Sequence, residues 1–408
     1  MKGKVCAMMT VSKYRRLGRW AVTLLVSLLT TGWLFFSLAA PGTAGAATFT
    51  VTSTLDQTDA APGDGICATA SGACTLRAAI QEANAFPGPD TIKLGTGVYM
   101  LTLSGRSEDG CAIGDLDITG ELTIVGTGTK NTFINGGNLD RVFHVILPVS
   151  VTITKVTIQN GLAAEGMGGG IYNNGGSLTL EKSEVSNNFA TREGGSYGGG
   201  IYSDSGQLRI IGTTLSQNSA IAAYHSGAGC GGGIYANGGT LEITKSTINR
   251  NSTGGYNGGY GGGVYCIRAT LSLLQTTVSN NFAFGTGYAG EGGGIYTLLS
   301  QVTIRGSTIS YNSADGVSQR GLGGGILNNG GDLTVVQTTI SYNSTSGSSG
   351  GTGGGIYANG NITVQGGSKF TRNFAATEGG GLFINSGTPA IAPDTKFTKN
   401  FPNDFILP

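Results

Sequence analysis

Charge is scarce in this chain: of 408 residues, 24 are basic and 23 acidic, about half the usual share for a soluble domain. Proline is also rare, with nine, and there are two tryptophans and two histidines. Each shortage excludes something. A collagen needs proline and glycine at every third position. A helical bundle needs long runs of Ala, Leu, Glu and Lys. The 74 glycines would cost a helix about 1 kcal/mol for each interior position they occupied. Disorder does not fit a chain that is 39% apolar with a net charge of +1. A single large β domain remains.

The first 46 residues hold six basic side chains (Lys2, Lys4, Lys13, Arg15, Arg16, Arg19) and no acidic one. An apolar run, Trp20 to Leu38, follows, and then small residues ending in Ala44-Gly45-Ala46. This order predicts a secretory signal peptide cleaved after Ala46; the competing reading is a retained anchor. Without that segment 18 basic residues face 23 acidic ones, a charge of −5, which argues against nucleic acid as a partner. Both tryptophans leave with it. The remaining cysteines are Cys67, Cys74, Cys111, Cys230 and Cys266. Cys67 and Cys74 enclose a short turn-forming stretch, and a local disulfide is expected in an oxidising compartment. Cys230 and Cys266 are out of phase in the repeat and are not expected to bond.

From residue 168 the chain repeats. A Gly-Gly-Gly triplet precedes an aliphatic residue at Ile171, Ile201, Ile234, Val264, Ile295, Ile326, Ile356 and (with Leu) Leu382, at intervals of 30, 33, 30, 31, 31, 30 and 26 residues. An asparagine follows each in phase: Asn188, Asn218, Asn251, Asn281, Asn312, Asn343, Asn373 and Asn400. Within a unit, pairs such as Leu178/Leu180 and Val302/Ile304 alternate with period two, the strand signal. Three short strands in about 30 residues make one coil of a parallel β-helix, whereas a propeller blade needs about 40 or more. The chain is therefore expected to be all-β, a right-handed parallel β-helix of roughly 10–11 coils. Like residues stack about 4.8 Å apart in such a rod. Asparagine is expected to take left-handed backbone angles at a bend and to bond its amide to the asparagines above and below.

Ahead of the coils, Leu76, Ala79, Ile80 and Ala83 fall on one face of a short helix, expected to cap the open end of the core. The organisation is thus 1–46 signal, 47–90 cap, and 91–408 β-helix, regular from 168. The cap resembles the CSLREA-type domain of exported bacterial β-helix proteins, through Pro62-Gly63-Asp64-Gly65, Cys67, Cys74-Thr75-Leu76-Arg77-Ala78-Ala79-Ile80, Ala83-Asn84 and Asp90-Thr91-Ile92. Thr75 and Ala78 depart from the serine and glutamate of the name motif. Gly114 to Ile118 and Asp140 to Phe143 look like that family too, and the repeats are similar to those of polymorphic outer-membrane proteins. Together the resemblance covers nearly all of 47–408 and implies an exported, pectin-lyase-like β-helix with no established activity.

Candidate chemistry is thin. The two histidines, His144 and His225, stand 81 residues apart, which disfavours a histidine metal site or a Ser-His-Asp triad. From Ile171 onward no two aspartates share a repeat position in adjacent coils, as paired catalytic carboxylates on neighbouring coils would. The densest acidic group is Glu108, Asp109, Asp115 and Asp117, joined by Asp140 and Arg141. Its simpler reading is solvated acids plus an Asp140–Arg141 ion pair at a bend; the other is a calcium site. No other cofactor is expected. Two outward rows are candidate binding faces: Tyr172, Tyr202, Tyr235, Tyr265, Tyr296 and Tyr357, which could bind sugar rings or simply stack to stabilise the sheet, and a hydroxyl row of Thr214, Thr247, Thr277, Thr308 and Thr339, explained most simply by strand propensity.

The sequence reading is therefore a secreted or cell-surface, non-catalytic, monomeric rod. It has no membrane span after cleavage, and its partner is a polysaccharide or a surface or matrix component. The alternative is a polysaccharide lyase or glycoside hydrolase on the same fold.

Overall fold

The computed structural model describes residues 45–106, 108–146, 148–223 and 226–407. The expected signal segment, but for its last two residues, lies outside them, as does His225. The described chain is an all-β parallel solenoid of about ten turns with one short helix.

The strands pair in parallel with their counterparts in the neighbouring coil, in the register of the repeat apart from shifts after Asn329 and Ala358: Ile171 faces Ile201, Ile201 faces Ile234, and Ile234 faces Val264. Inward aliphatics from three strands per coil, such as Ile201, Leu208, Ile210 and Leu215, are fully buried in one continuous core. The Ile-x-x-x and Leu-x-aliphatic strands of successive coils form one 20-stranded sheet, and the strands before the asparagine form an 11-stranded ladder.

A coil holds more than the three expected strands. After the asparagine the chain runs out along an arm (Ser219–Ala223 in one coil) and returns along a two-residue strand (Gly229–Cys230). The outgoing arms stack into an eight-stranded ladder and the returning ones into a six-stranded ladder. The arms carry no aliphatic alternation because they lie back to back. A Cβ on Gly229 would sit 2.0 Å from the Ala220 carbonyl oxygen, so only small residues fit, and Ala190, Ala220, Thr253, Ala283 and Ala314 fill the buried row.

The glycine triplet that follows is required residue by residue. Gly198 has φ +64°. A Cβ on Gly199 would lie 2.4 Å from the Ser219 carbonyl, and one on Gly200 would lie 3.0 Å from the amide carbon of Asn218.

The asparagines form the expected amide ladder. Each Nδ2 donates to the Oδ1 of the next asparagine at 2.9–3.0 Å, from Asn188 to Asn400. The same Nδ2 donates to a carbonyl of the preceding coil, as Asn281 does to Ile248 (3.0 Å). The left-handed backbone is a correction. It belongs to the residue before each asparagine, with φ of 54–56° at Gln217, Arg250, Asn280 and Tyr311, leaving the asparagine side chain free to turn inward.

At the amino end the helix Leu76–Ala85 buries Leu76, Ala79, Ile80 and Ala83 in the core. Thr75, standing where the name motif has serine, is its N-cap and accepts the Ala78 N–H at 3.2 Å.

Candidate functional site

The tyrosine row is in register as expected, and it is longer than the sequence reading had it. The position runs Asp117, His144, Tyr172, Tyr202, Tyr235, Tyr265, Tyr296, Leu327, Tyr357, Phe383. Neighbouring rings of Tyr202, Tyr235, Tyr265 and Tyr296 are parallel within 3–7° at 4.9–5.1 Å. The row leaves the main core, but it does not face open solvent. Tyr202, Tyr235, Tyr265 and Tyr296 are at most 5% exposed, and only Tyr172 and Tyr357 are half-buried.

Returning-arm residues pack edge-on against the row, Tyr197 on Tyr235 at 5.2 Å and Tyr260 on Tyr296 at 5.6 Å. Burial raises the phenols of Tyr202, Tyr235 and Tyr265. It also pushes the Glu291 carboxyl, in the returning arm, up to about 7. A sugar could reach the ring faces of only the end members.

Where the row becomes His144 and Asp117, the acidic group assembles. Arg141 Nε lies 2.8 Å from Asp115 Oδ2 and 3.9 Å from Asp140 Oδ1. The ion pair expected between Asp140 and Arg141 is thus made chiefly with Asp115, while Asp140 accepts the Arg141 backbone N–H at 2.8 Å. Burial raises the Asp115 carboxyl, and Arg141 pulls it the other way. Glu108 accepts the N–H groups of Gly110, Ala112 and Ile113.

His144 stacks on Tyr172 (4.8 Å, 5°) and brings Nδ1 to 3.3 Å from Asp117 Oδ1 and 3.5 Å from Asp109 Oδ1. The solvated-acid reading fits Asp109 and fails for Asp115 and Asp117, which are at most 4% exposed.

Beneath this group the cap is held by Arg77, 1% exposed, which donates to Asp56 (2.6 and 3.3 Å) and to the carbonyls of Cys111, Gly114 and Asp115. Cys67 and Cys74 are joined in a disulfide. Cys266 faces Ala236 while Cys230 faces Tyr260, and the Cys266 thiol is free, buried and pushed up to about 12.

One feature escaped the sequence reading. On the outer face of the outgoing arms the row Thr191, Ile221, Gly254, Phe284, Asp315 breaks at Gly254. The break opens a cleft of about 460 Å³ floored by Gly254 and walled by Ile221, Tyr256, Phe282 and Phe284, with Ser252 and Thr286 at its edge. Unlike the triplet glycines, Gly254 is not required by packing: a Cβ there would have nothing nearer than 3.7 Å. The signal was in the sequence, as a lone glycine in a row of larger residues, but it could be seen only once the arm was known to be a strand.

Comparison of the chain with protein-family models, with curated proteins and with solved structures gives no match in any of the three. The class that fold and site define is a parallel β-solenoid, with an aromatic cleft on one flank and a carboxylate–imidazole cluster at one end.

Proposed function

We propose that the protein is an exported, non-catalytic β-solenoid of the CSLREA-type, pectin-lyase-like kind that binds a surface or matrix polysaccharide. The Gly254 cleft carries the reading. Its volume suits a ligand of one or two sugar rings. Phe282, 37% exposed, offers a stacking surface, and the Ser252 and Thr286 hydroxyls supply polar groups at the edge.

Two observations support the rest. The acids of the amino end are largely committed to Arg77, Arg141 and backbone N–H groups, which is the work of a scaffold. Export is supported at the expected cleavage point. The Ala47 nitrogen lies 2.7 Å from Oδ1 of Asp90, a carboxylate 1% exposed whose Oδ2 has no hydrogen-bond partner. Cleavage after Ala46 turns that amide into an ammonium and gives the buried carboxylate a counter-charge. Among the described residues no helix is long and apolar enough to cross a membrane.

Titration of the protein with acidic and neutral polysaccharides tests the binding role. Gly254→Phe fills the cleft without displacing backbone and is expected to weaken binding at least tenfold. Release of new reducing ends or unsaturated uronate that survives repurification would favour the lyase or hydrolase reading instead. For export, the mass of protein recovered from the medium should place its first residue at Ala47. Asp90→Asn should destabilise the processed form more than the unprocessed one.

A further inference from the structure

The cluster of Asp109, Asp117 and His144 brings one ligand atom from each residue within 4.8 Å of the others, and the two distances from His144 Nδ1, 3.3 and 3.5 Å, suit a shared ion better than they suit the residues alone. Asp117 is completely buried, yet its Oδ1 has no hydrogen-bond partner. The 3.3 Å to His144 Nδ1 is therefore a contact without hydrogen-bond geometry, between groups that would gain from a true bond. An unpaired buried carboxylate oxygen is costly.

We propose that Asp109, Asp117 and His144 form a divalent transition-metal site of the zinc class, with Asp117 Oδ1, an Asp109 carboxylate oxygen and His144 Nδ1 as ligands. Two ligands at about 2.0–2.1 Å from a tetrahedral zinc ion lie about 3.3–3.4 Å apart, and the two measured edges from His144 Nδ1 are 3.3 and 3.5 Å. An octahedral magnesium site at about 2.0–2.1 Å would need edges of about 2.9 Å. Calcium takes six or more oxygens, and an imidazole nitrogen favours zinc or its neighbours over it.

Two carboxylates and a neutral imidazole balance a 2+ ion. The nearby Arg141 charge is already met by Asp115 at 2.8 Å. Asp117 Oδ2 accepts the Cys111 N–H at 2.9 Å, which orients that carboxylate, and the imidazole stacks on Tyr172 while its Nε2 is buried without a hydrogen-bond partner. The Asp109 side chain is 75% exposed, so the ion enters from solvent and keeps a fourth position for water or an outside ligand.

The test uses the full chain without a histidine tag, stripped by chelation and titrated calorimetrically with zinc alone, with cobalt as an optical probe. One zinc per chain is expected, with the cobalt form showing the strong visible bands of a four-coordinate ion. Asp109→Asn changes only an exposed side chain and should weaken zinc at least tenfold, as should His144→Gln, while Asp394→Asn, an exposed carboxylate elsewhere, should not. The assignment is overturned if zinc uptake is absent or substoichiometric, if it is indifferent to Asp109→Asn, or if calcium binds there and zinc does not.

Discussion

The amino end and the regular coils both bury polar groups, by opposite means. In the coils the buried groups are neutral and identical from one turn to the next. Asn218, Asn251 and Asn281 each use both amide hydrogens and the carbonyl oxygen within a column. At the amino end the buried groups are charged and each is solved once: Arg77 against Asp56, Arg141 against Asp115, Glu82 against the N–H groups of Gly63 and Gly65. Neutral ladders cost little desolvation and can be extended without limit. Buried ions lose solvation that only well-placed partners return, so they suit an end that must be unique.

Breaking each scheme should therefore look different. The largest loss is expected from Asn281→Ala in mid-rod. It strands the Asn251 side-chain and backbone donors and the Ile248 carbonyl at once, and groups left unsatisfied in this way cost about 1–3 kcal/mol each. Chemical denaturation should show a fall of about 3–6 kcal/mol, and the same change at Asn400, 9% exposed against 1% at Asn281, should cost less. Arg77→Met should lower stability by about 3–5 kcal/mol, the cost of abandoning a buried partner. Adding Asp56→Asn should recover part of it, which no second change in the asparagine column would do.

Opening the Cys67–Cys74 link by a double serine substitution frees a short loop and should cost about 2 kcal/mol, confined in hydrogen exchange to the cap. The smallest effect is with pH. Glu291 holds its proton to about 7, above the ordinary carboxylate range. The folded chain thus binds more protons than the unfolded one between about pH 4 and 7. Stability should fall as pH rises across that window, with Glu291→Gln removing part of the slope and leaving the asparagine column untouched.

The coils were legible because their signals are periodic: the triplets, the asparagines and pairs such as Leu178/Leu180 mark three strands and their register. The arms were not. Their inward row is alanine and threonine, their return strand is half glycine, and size is what back-to-back backbones restrict, so no apolar alternation survives. The tyrosine register could be read from Tyr172, Tyr202 and Tyr235, but its burial could not, since the returning arm that brings Tyr197 and Tyr260 against it was invisible. Asp117 could be grouped with its acidic neighbours but His144 could not be joined to them, because the charged end has no repeat to phase them, and only the pairing of Leu116–Ile118 with Phe143–Ile146 sets the two side by side.

The asparagine column has a direction. Each amide hands its hydrogen toward the later coil, the first oxygen accepts from Gly161 N–H (2.9 Å), and the last donor ends on Asp404 Oδ1 (2.8 Å). Every interior coil thus receives and passes on the same bond, while the two terminal partners occur once. The rod behaves like a string of identical connectors between two dissimilar plugs. Duplicating the 31 residues from one asparagine to the next, Asn281 to Asn312, should lengthen it by one turn without loss, whereas the same segment appended beyond Asp404 would meet an acceptor already taken and should hang unfolded.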